Sequence, residues 1–372
     1  MGLFSNTALS EAQEESRVVE EIRQQLDLDG LTAVMLFVSI DYDLDKLAGE
    51  LRQAFPDSIP VFGCTTAGHI GPDGYQRRGL QVTGIYGASV SVQTELIHPL
   101  DQCQAAVLAL GQRVDNDPLQ NTARRFGVLL VDGLSRLEER LAAALHHCFP
   151  DIPLIGGSAG DDLSFDSTYV YADGRFLSNA AVLALFETDA PFTAFKFQHF
   201  VPTRELLVVT EADSENRTVQ EFNGEPAALA YAQSLGITVE DLSPEIYSCH
   251  PVMLKLGSDY YVRSIQQCND DLSLTFYCAI AKGIVLRLGE AVSPLEAAKK
   301  AFADVHRLVP KPSLIIGCDC ILRRLEFEQT GQLQQVGKLL VQNKVIGFST
   351  YGEQFNALHM NQTFTGLAIG EL

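Results

Sequence analysis

The chain has 372 residues, with 27 Lys+Arg against 47 Asp+Glu and a formal charge of −20. Hydrophobic residues make up 46% and charged residues 20%, which excludes bulk disorder and suits a folded chain of about two domains. The acidity argues against nucleic acid or an anionic membrane surface as main partner, because both attract basic surfaces and no basic run is present.

In chain order, Val18, Val19, Ile22 and Leu26 fall at helical spacing. The acidic segment around them lacks the basic flank and apolar core of a secretory signal. Residues 33–39 form a short apolar run that predicts a buried strand. Leu44, Leu47, Leu51 and Phe55 mark a helix face, and residues 60–64 the next strand. Such βαβ alternation makes parallel sheets with helices on their faces. It recurs with a strand at 126–132, a helix carrying Leu137, Leu141, Leu145 and Phe149, and a strand running into a turn at 153–160.

Residues 168–223 read as a meander, opened by a hairpin around Asp173-Gly174. A short helix from Pro226 to Leu235 stops at Gly236. Strands follow at 260–265, 272–279 and 283–288. A helix spans 294–309, a strand 313–320, a helix 333–342, and strands 344–349 and 363–369. No run reaches about 18 apolar residues, so no membrane insertion is expected.

Four segments repeat an apolar strand, a glycine and then small or polar residues: 61–68, 154–160, 315–319 and 345–352. Either the two halves share one α/β plan, or strand-then-glycine is ordinary punctuation.

The eight cysteines are scattered and read as reduced thiols of a cytoplasmic protein. Cys64, at a strand-to-turn junction near His69, has the position of a nucleophile but no identifiable orienting carboxylate, and buried Cys is often a plain small hydrophobe. Cys318-Asp-Cys320 lacks a second ligand pair at zinc spacing and reads as core. The Gly156–Asp161 turn has neither the P-loop nor the dinucleotide pattern. It implies a close backbone approach, serving either packing or a ligand.

His199 lies in Phe195-Lys-Phe-Gln-His-Phe-Val-Pro202, where strand alternation puts Phe195, Phe197 and His199 on one side. An imidazole beside phenyl rings suits a haem pocket, but the pattern alone is better matched by a half-buried histidine bonded to a carbonyl. No CxxCH is present, so any haem is non-covalent. His69, His250 and His359 are the competing ligands.

Several of these segments together resemble the FIST family of sensory proteins: 61–68, 131–135 with its helix, 153–161, 221–227, 347–354 and 364–370. The resemblance covers about residues 30–370. It implies two related α/β domains with mixed sheets flanked by helices: an N-terminal helix in 1–29, a FIST N domain at 30–215 and a FIST C domain at 216–372. Residues 199–202, 206–210 and 226–231 are most similar to the nitric-oxide-sensing haem subgroup, NosP. That similarity implies haem b, with His199 as iron ligand and Phe195, Phe197 and Pro202 around it. It also implies nitric oxide as signal and control in trans of a sensor histidine kinase, a diguanylate cyclase or a phosphodiesterase. No catalysis is expected. The alternative is a haem-free sensor of a small ligand such as an amino acid. Its site would form where the glycine turns converge, from Cys64, Thr65, Gly157, Ser158, Asp161, Ser349 and Glu353, with Asp161 or Glu353 taking an ammonium group.

Overall fold

Apolar runs bounded by turns become strands that are buried on both faces, as parallel pairs under helices must be. The computed structural model describes residues 3–115 and 124–371. Over these residues the fold is α/β, with four sheets flanked by helices.

Three of the sheets share one plan. In each, two strands lie parallel and a helical connection joins them. These pairs are Leu31–Val38 with Val61–Thr65, Arg124–Val131 with Leu154–Ser158, and Pro312–Cys320 with Val345–Thr350. The connections are the helices Leu44–Ala54, Glu138–Cys148, and Ile321–Gln329 with Leu333–Gln342. A returning strand lies antiparallel to the first: Leu80–Tyr86, Ala181–Thr188 and Phe364–Gly370. An outer strand opens each unit: Phe4–Ser10, Val90–Ile97 and Phe192–Phe197.

Between its second parallel strand and its returning strand, each unit sends a short hairpin into another unit's sheet. The hairpin at 69–76 pairs with Val345–Thr350, the one at 170–177 with Val61–Thr65, and the one at 353–360 with Leu154–Ser158. The exchange is cyclic, so the three units are tied about one centre.

This arrangement accounts for the repeated strand–glycine segments. Gly63, Gly156 and Gly347 hold the same place, each registered opposite a residue of the parallel neighbour: Leu36, Leu129 and Gly317. A Cβ at any of the three would run into that neighbour's carbonyl oxygen, so only glycine lets the strands close. The segments at 61–68, 154–160 and 345–352 are the equivalent ones, while 315–319 belongs to the strand beside the last.

The fourth sheet is antiparallel and lies within the third unit, after Phe192–Phe197 and before the helix Pro294–Leu308. It runs from Phe200–Asp213 to Val285–Ala291 and packs on the helix Ala227–Leu235. Local chemistry sets the helix ends. Asp43 accepts the Lys46 N–H ahead of Leu44–Ala54, and Ser293 accepts the Glu296 N–H ahead of Pro294–Leu308. Gly236, with φ of +70°, ends Ala227–Leu235. The strand Phe4–Ser10 and the helix Ile321–Gln329 go beyond the sequence expectation. The first has polar alternation in FSNTALS, and the second follows its strand directly with no capping side chain.

Candidate functional site

The cyclic exchange brings the three glycine turns together. Ser349 N–H donates to the Gly68 carbonyl at 2.7 Å, Ser158 N–H to Gly352 at 2.8 Å, and Gly160 N–H to Thr65 at 3.1 Å. The turns fill their own meeting point with backbone contacts. Asp161 is spent within its loop: its carboxyl accepts the N–H groups of Phe165, Asp166 and Ser167 and the Tyr351 hydroxyl. Glu353 is fully buried, and its two oxygens accept the Thr350 hydroxyl and the Thr363 N–H at 3.2 Å. Burial pushes its pKa well above the ordinary carboxyl range. Neither acid is free to take an ammonium group.

Of the other residues expected there, Thr65 Oγ1 accepts the Tyr169 N–H at 3.0 Å and Ser158 Oγ accepts from Gln354 Nε2 at 3.0 Å. Gly157 lies against Phe348 and Thr350. Cys64 sits in the central core with Cys318, and burial pushes its thiol pKa well up, the reverse of an activated nucleophile. Ser349 Oγ is buried without a partner.

His199 lies in the break between Phe192–Phe197 and Phe200–Asp213, and both its ring nitrogens are engaged. Arg323 donates to Nδ1 at 2.8 Å, so Nε2 carries the proton and donates to Glu326 at 2.7 Å. Arg323 also donates to Asp319 at 2.6 Å, and Tyr75 donates to the other Asp319 oxygen. The guanidinium lies over the rings of Phe197 and Phe327, 5.0 and 5.1 Å from their centroids. Burial lowers the His199 pKa, although Glu326 opposes the shift. Phe195 and Phe197 stack on Phe364 and meet Phe302 edge-on in the third unit's core, and Pro202 pairs with Gly289 in the fourth sheet. An axial ligand needs a free imidazole nitrogen, and His199 offers none in this arrangement, so these residues do not fit haem as they stand.

A second buried polar group surrounds His359. Gln354 Nε2 donates to His359 Nδ1 at 3.1 Å, which leaves Nε2 as the N–H; it is buried and unpartnered. Asn361 is fully buried, and neither its amide nitrogen nor its oxygen has a partner. Both side chains lie against Gly352, where a Cβ would meet the imidazole and come within 3.1 Å of the Asn361 nitrogen. Arg263 donates to the His359 carbonyl at 3.2 Å, and its Nε is buried without a partner, as is Gln354 Oε1.

Glu138 and Glu139 are both bonded to Arg217, at 2.7 and 2.6 Å, and the other Glu139 oxygen accepts the Ala279 N–H at 2.7 Å. Their carboxyls and the two guanidiniums act on the imidazole, and burial lowers its pKa. An unsatisfied buried polar atom costs about 1–3 kcal/mol, so these atoms are ones that buried water or a polar guest would satisfy. The chemistry of the group is specific: a neutral N–H donor, an amide that donates and accepts, a cation, and carboxyls nearby. The sequence named His359 as a competing iron ligand. Asn361 and Arg263 carried no motif, and the recurrence of the glycine turn at 345–352, shortly before Asn361, was the one available signal.

Residues 32–225 match the model of the FIST N domain, and residues 227–356 match that of the FIST C domain. An uncharacterized protein of Methanocaldococcus jannaschii, MJ1623, is 24% identical over 399 aligned positions, covering 94% of this chain and 75% of that protein. Of the residues around His359, Glu138, Glu139 and Arg217 lie in the first matched segment and Arg263 and Gln354 in the second, while His359 and Asn361 lie just beyond it.

Proposed function

This chain belongs to the FIST family, whose domains are sensory domains of signalling proteins, and from that premise we propose that it senses a small polar ligand at the His359 junction. The supporting observation is the set of buried, unpartnered atoms on His359, Asn361, Arg263 and Gln354, the first two just beyond the second matched segment. The donor set suits a compact carboxylate with a second polar group. An amino acid, the ligand class the family resemblance implies, has that form. Its carboxylate would face Arg263 and the His359 N–H, and its ammonium group the Asn361 oxygen.

The chain acts without catalysis of its own, in the cytoplasm, on a partner in trans: a sensor histidine kinase, a diguanylate cyclase or a phosphodiesterase. Ligand binding favours one arrangement of the junction, and the partner reads that arrangement. A tenfold change in partner affinity needs about 1.4 kcal/mol of differential binding.

The competing proposal is non-covalent haem b with nitric oxide as signal. The rings of Phe200 and Phe327 beside His199 favour it. The engagement of both His199 nitrogens weighs against it.

Thermal unfolding in the presence of each common amino acid tests the first proposal. One or a few raise the melting temperature, as a ligand specific for the native state must, and the rise disappears in Asn361→Leu. No response to any of them, together with a sharp Soret band that moves with nitric oxide and is lost in His199→Ala, would replace it with the haem proposal.

A further inference from the structure

The outer strands that open the first and third units end differently. The edge of Phe4–Ser10 is closed from within the unit. Gln25, the last residue of the helix Glu15–Gln25, accepts the Leu9 N–H through Oε1 at 3.4 Å and donates to the Leu9 carbonyl through Nε2 at 3.1 Å. Asn6 adds a bond from its side chain to the Gln25 carbonyl at 2.9 Å.

Among the described residues, the third unit's outer strand, Phe192–Phe197, is an edge of its sheet and pairs only with Phe364–Gly370. The Pro191 carbonyl accepts the Gly370 N–H at 2.8 Å. Antiparallel alternation from that bond turns the N–H and C=O groups of Phe192, Ala194 and Lys196 outward. The helix in the equivalent place is Pro294–Leu308. Among the described residues, none of its side chains bonds to this edge.

That helix instead presents Ala297, Ala301, Val305 and Leu308 along one stripe, and a groove of about 680 Å³ runs between stripe and strand. Leu308 is 68% exposed and Val292, at one end, 44%. The groove wall carries two lysines, Lys196 and Lys300, and two acids, Glu296 and Asp304. Glu296 pairs with Lys299 and Asp304 with Arg307, while Lys196 lies over the Tyr261 ring at 4.5 Å. Lys300 on the groove wall has no ion pair among the described residues, in a chain of net charge −20.

We propose that this groove docks an extended segment of a partner protein, which adds as a further strand to Phe192–Phe197. Alternate apolar side chains of the segment lie against Ala297, Ala301 and Leu308, and an acidic side chain meets Lys300. An open strand edge supplies main-chain hydrogen bonds and the flanking helix supplies side-chain selection, the division of labour in strand addition. The proposal does not depend on the ligand at the His359 junction.

Selection from a displayed library of random dodecapeptides on the purified full chain tests it. The expected result is an enriched family of alternating apolar residues with one acidic position. Ala301→Trp, which fills the groove, weakens such a peptide by about tenfold or more. Lys300→Glu, at an exposed position where folding is unaffected, weakens it in a salt-sensitive way. Hydrogen exchange of the complex protects the amides of Ala194 and Lys196. No enriched family, binding that survives both variants, or protection only on the helix would overturn the proposal. So would a concentration-dependent dimer of the chain alone that Ala301→Trp abolishes, because the occupant would then be a second copy.

Discussion

The polar chain through His199 and the polar group around His359 use the same kinds of residue at similar burial, but only one of them is closed. From Tyr75 through Asp319, Arg323 and His199 to Glu326, each side chain is bonded to the next, and none of these five residues has a buried polar atom left over. The chain joins the first unit's exchanged hairpin to the third unit and to the entrance of the fourth sheet. Around His359 the opposite holds, with atoms of His359, Asn361, Arg263 and Gln354 left without partners. A closed charge network holds parts in register. An open one is suited to receive a guest. Histidine burial alone therefore does not separate a brace from a binding site; the count of uncommitted donors and acceptors does.

The contrast is sharpest under mutation. Arg323→Met removes the one cation of the closed chain and leaves the Asp319 carboxyl buried with the Tyr75 hydroxyl but without a countercharge, both Arg323 and Asp319 side chains being 1% exposed. Breaking a buried pair from one side costs about 3–5 kcal/mol. Denaturant unfolding should register that loss in the midpoint, and a change below about 1 kcal/mol would remove the brace from the account.

Asn361→Leu should behave in the opposite way. It replaces two unpartnered polar atoms by an apolar side chain of similar size, so stability stays within about 1 kcal/mol or rises. Ligand response disappears all the same. A loss of stability as large as that of Arg323→Met would mean that Asn361 has partners in the folded protein and that the group around it is closed too.

Glu353 gives a smaller, pH-dependent contrast. Its folded pKa lies above the ordinary 4.5 because of burial. The folded protein therefore keeps a proton that the unfolded chain releases. The stability this contributes is present below pH 4.5 and is lost as pH rises through the folded value. Glu353→Gln has no proton to lose, so its advantage in melting temperature over wild type grows from pH 5 to pH 8. The buried histidines have the other sign. His69, lowered to about 4 by burial, contributes stability above its ordinary 6.5 that is lost as pH falls toward 4. A Glu353→Gln advantage that is flat with pH would contradict the buried-proton assignment.

Much of the fold was legible in the sequence because its βαβ units bury continuous apolar runs, such as residues 33–38 and 126–131, between helices whose apolar residues recur at helical spacing. The hairpin at 170–177 was legible from Asp173-Gly174, both of which take positive φ in its turn. The exchange of hairpins was not. The strands His69–Gly71 and Leu358–Met360 are three residues each, too short for periodicity, and their partners lie in other units. For the same reason the site was half legible. The sequence pointed to the glycine turns, but it chose Asp161 and Glu353, whose oxygens the fold spends locally. Asn361 belongs to no pattern, and it gains meaning only once Gly352 has brought it beside His359.

The most direct measurement is calorimetric titration with the amino acid that gives the largest thermal shift, on wild type, Asn361→Leu and His199→Gln, each also titrated with haem. With the His359 junction as the ligand seat, wild type and His199→Gln bind that ligand with similar affinity, Asn361→Leu does not, and none of the three binds haem stoichiometrically. Stoichiometric haem binding that His199→Gln abolishes and Asn361→Leu leaves intact would contradict the account.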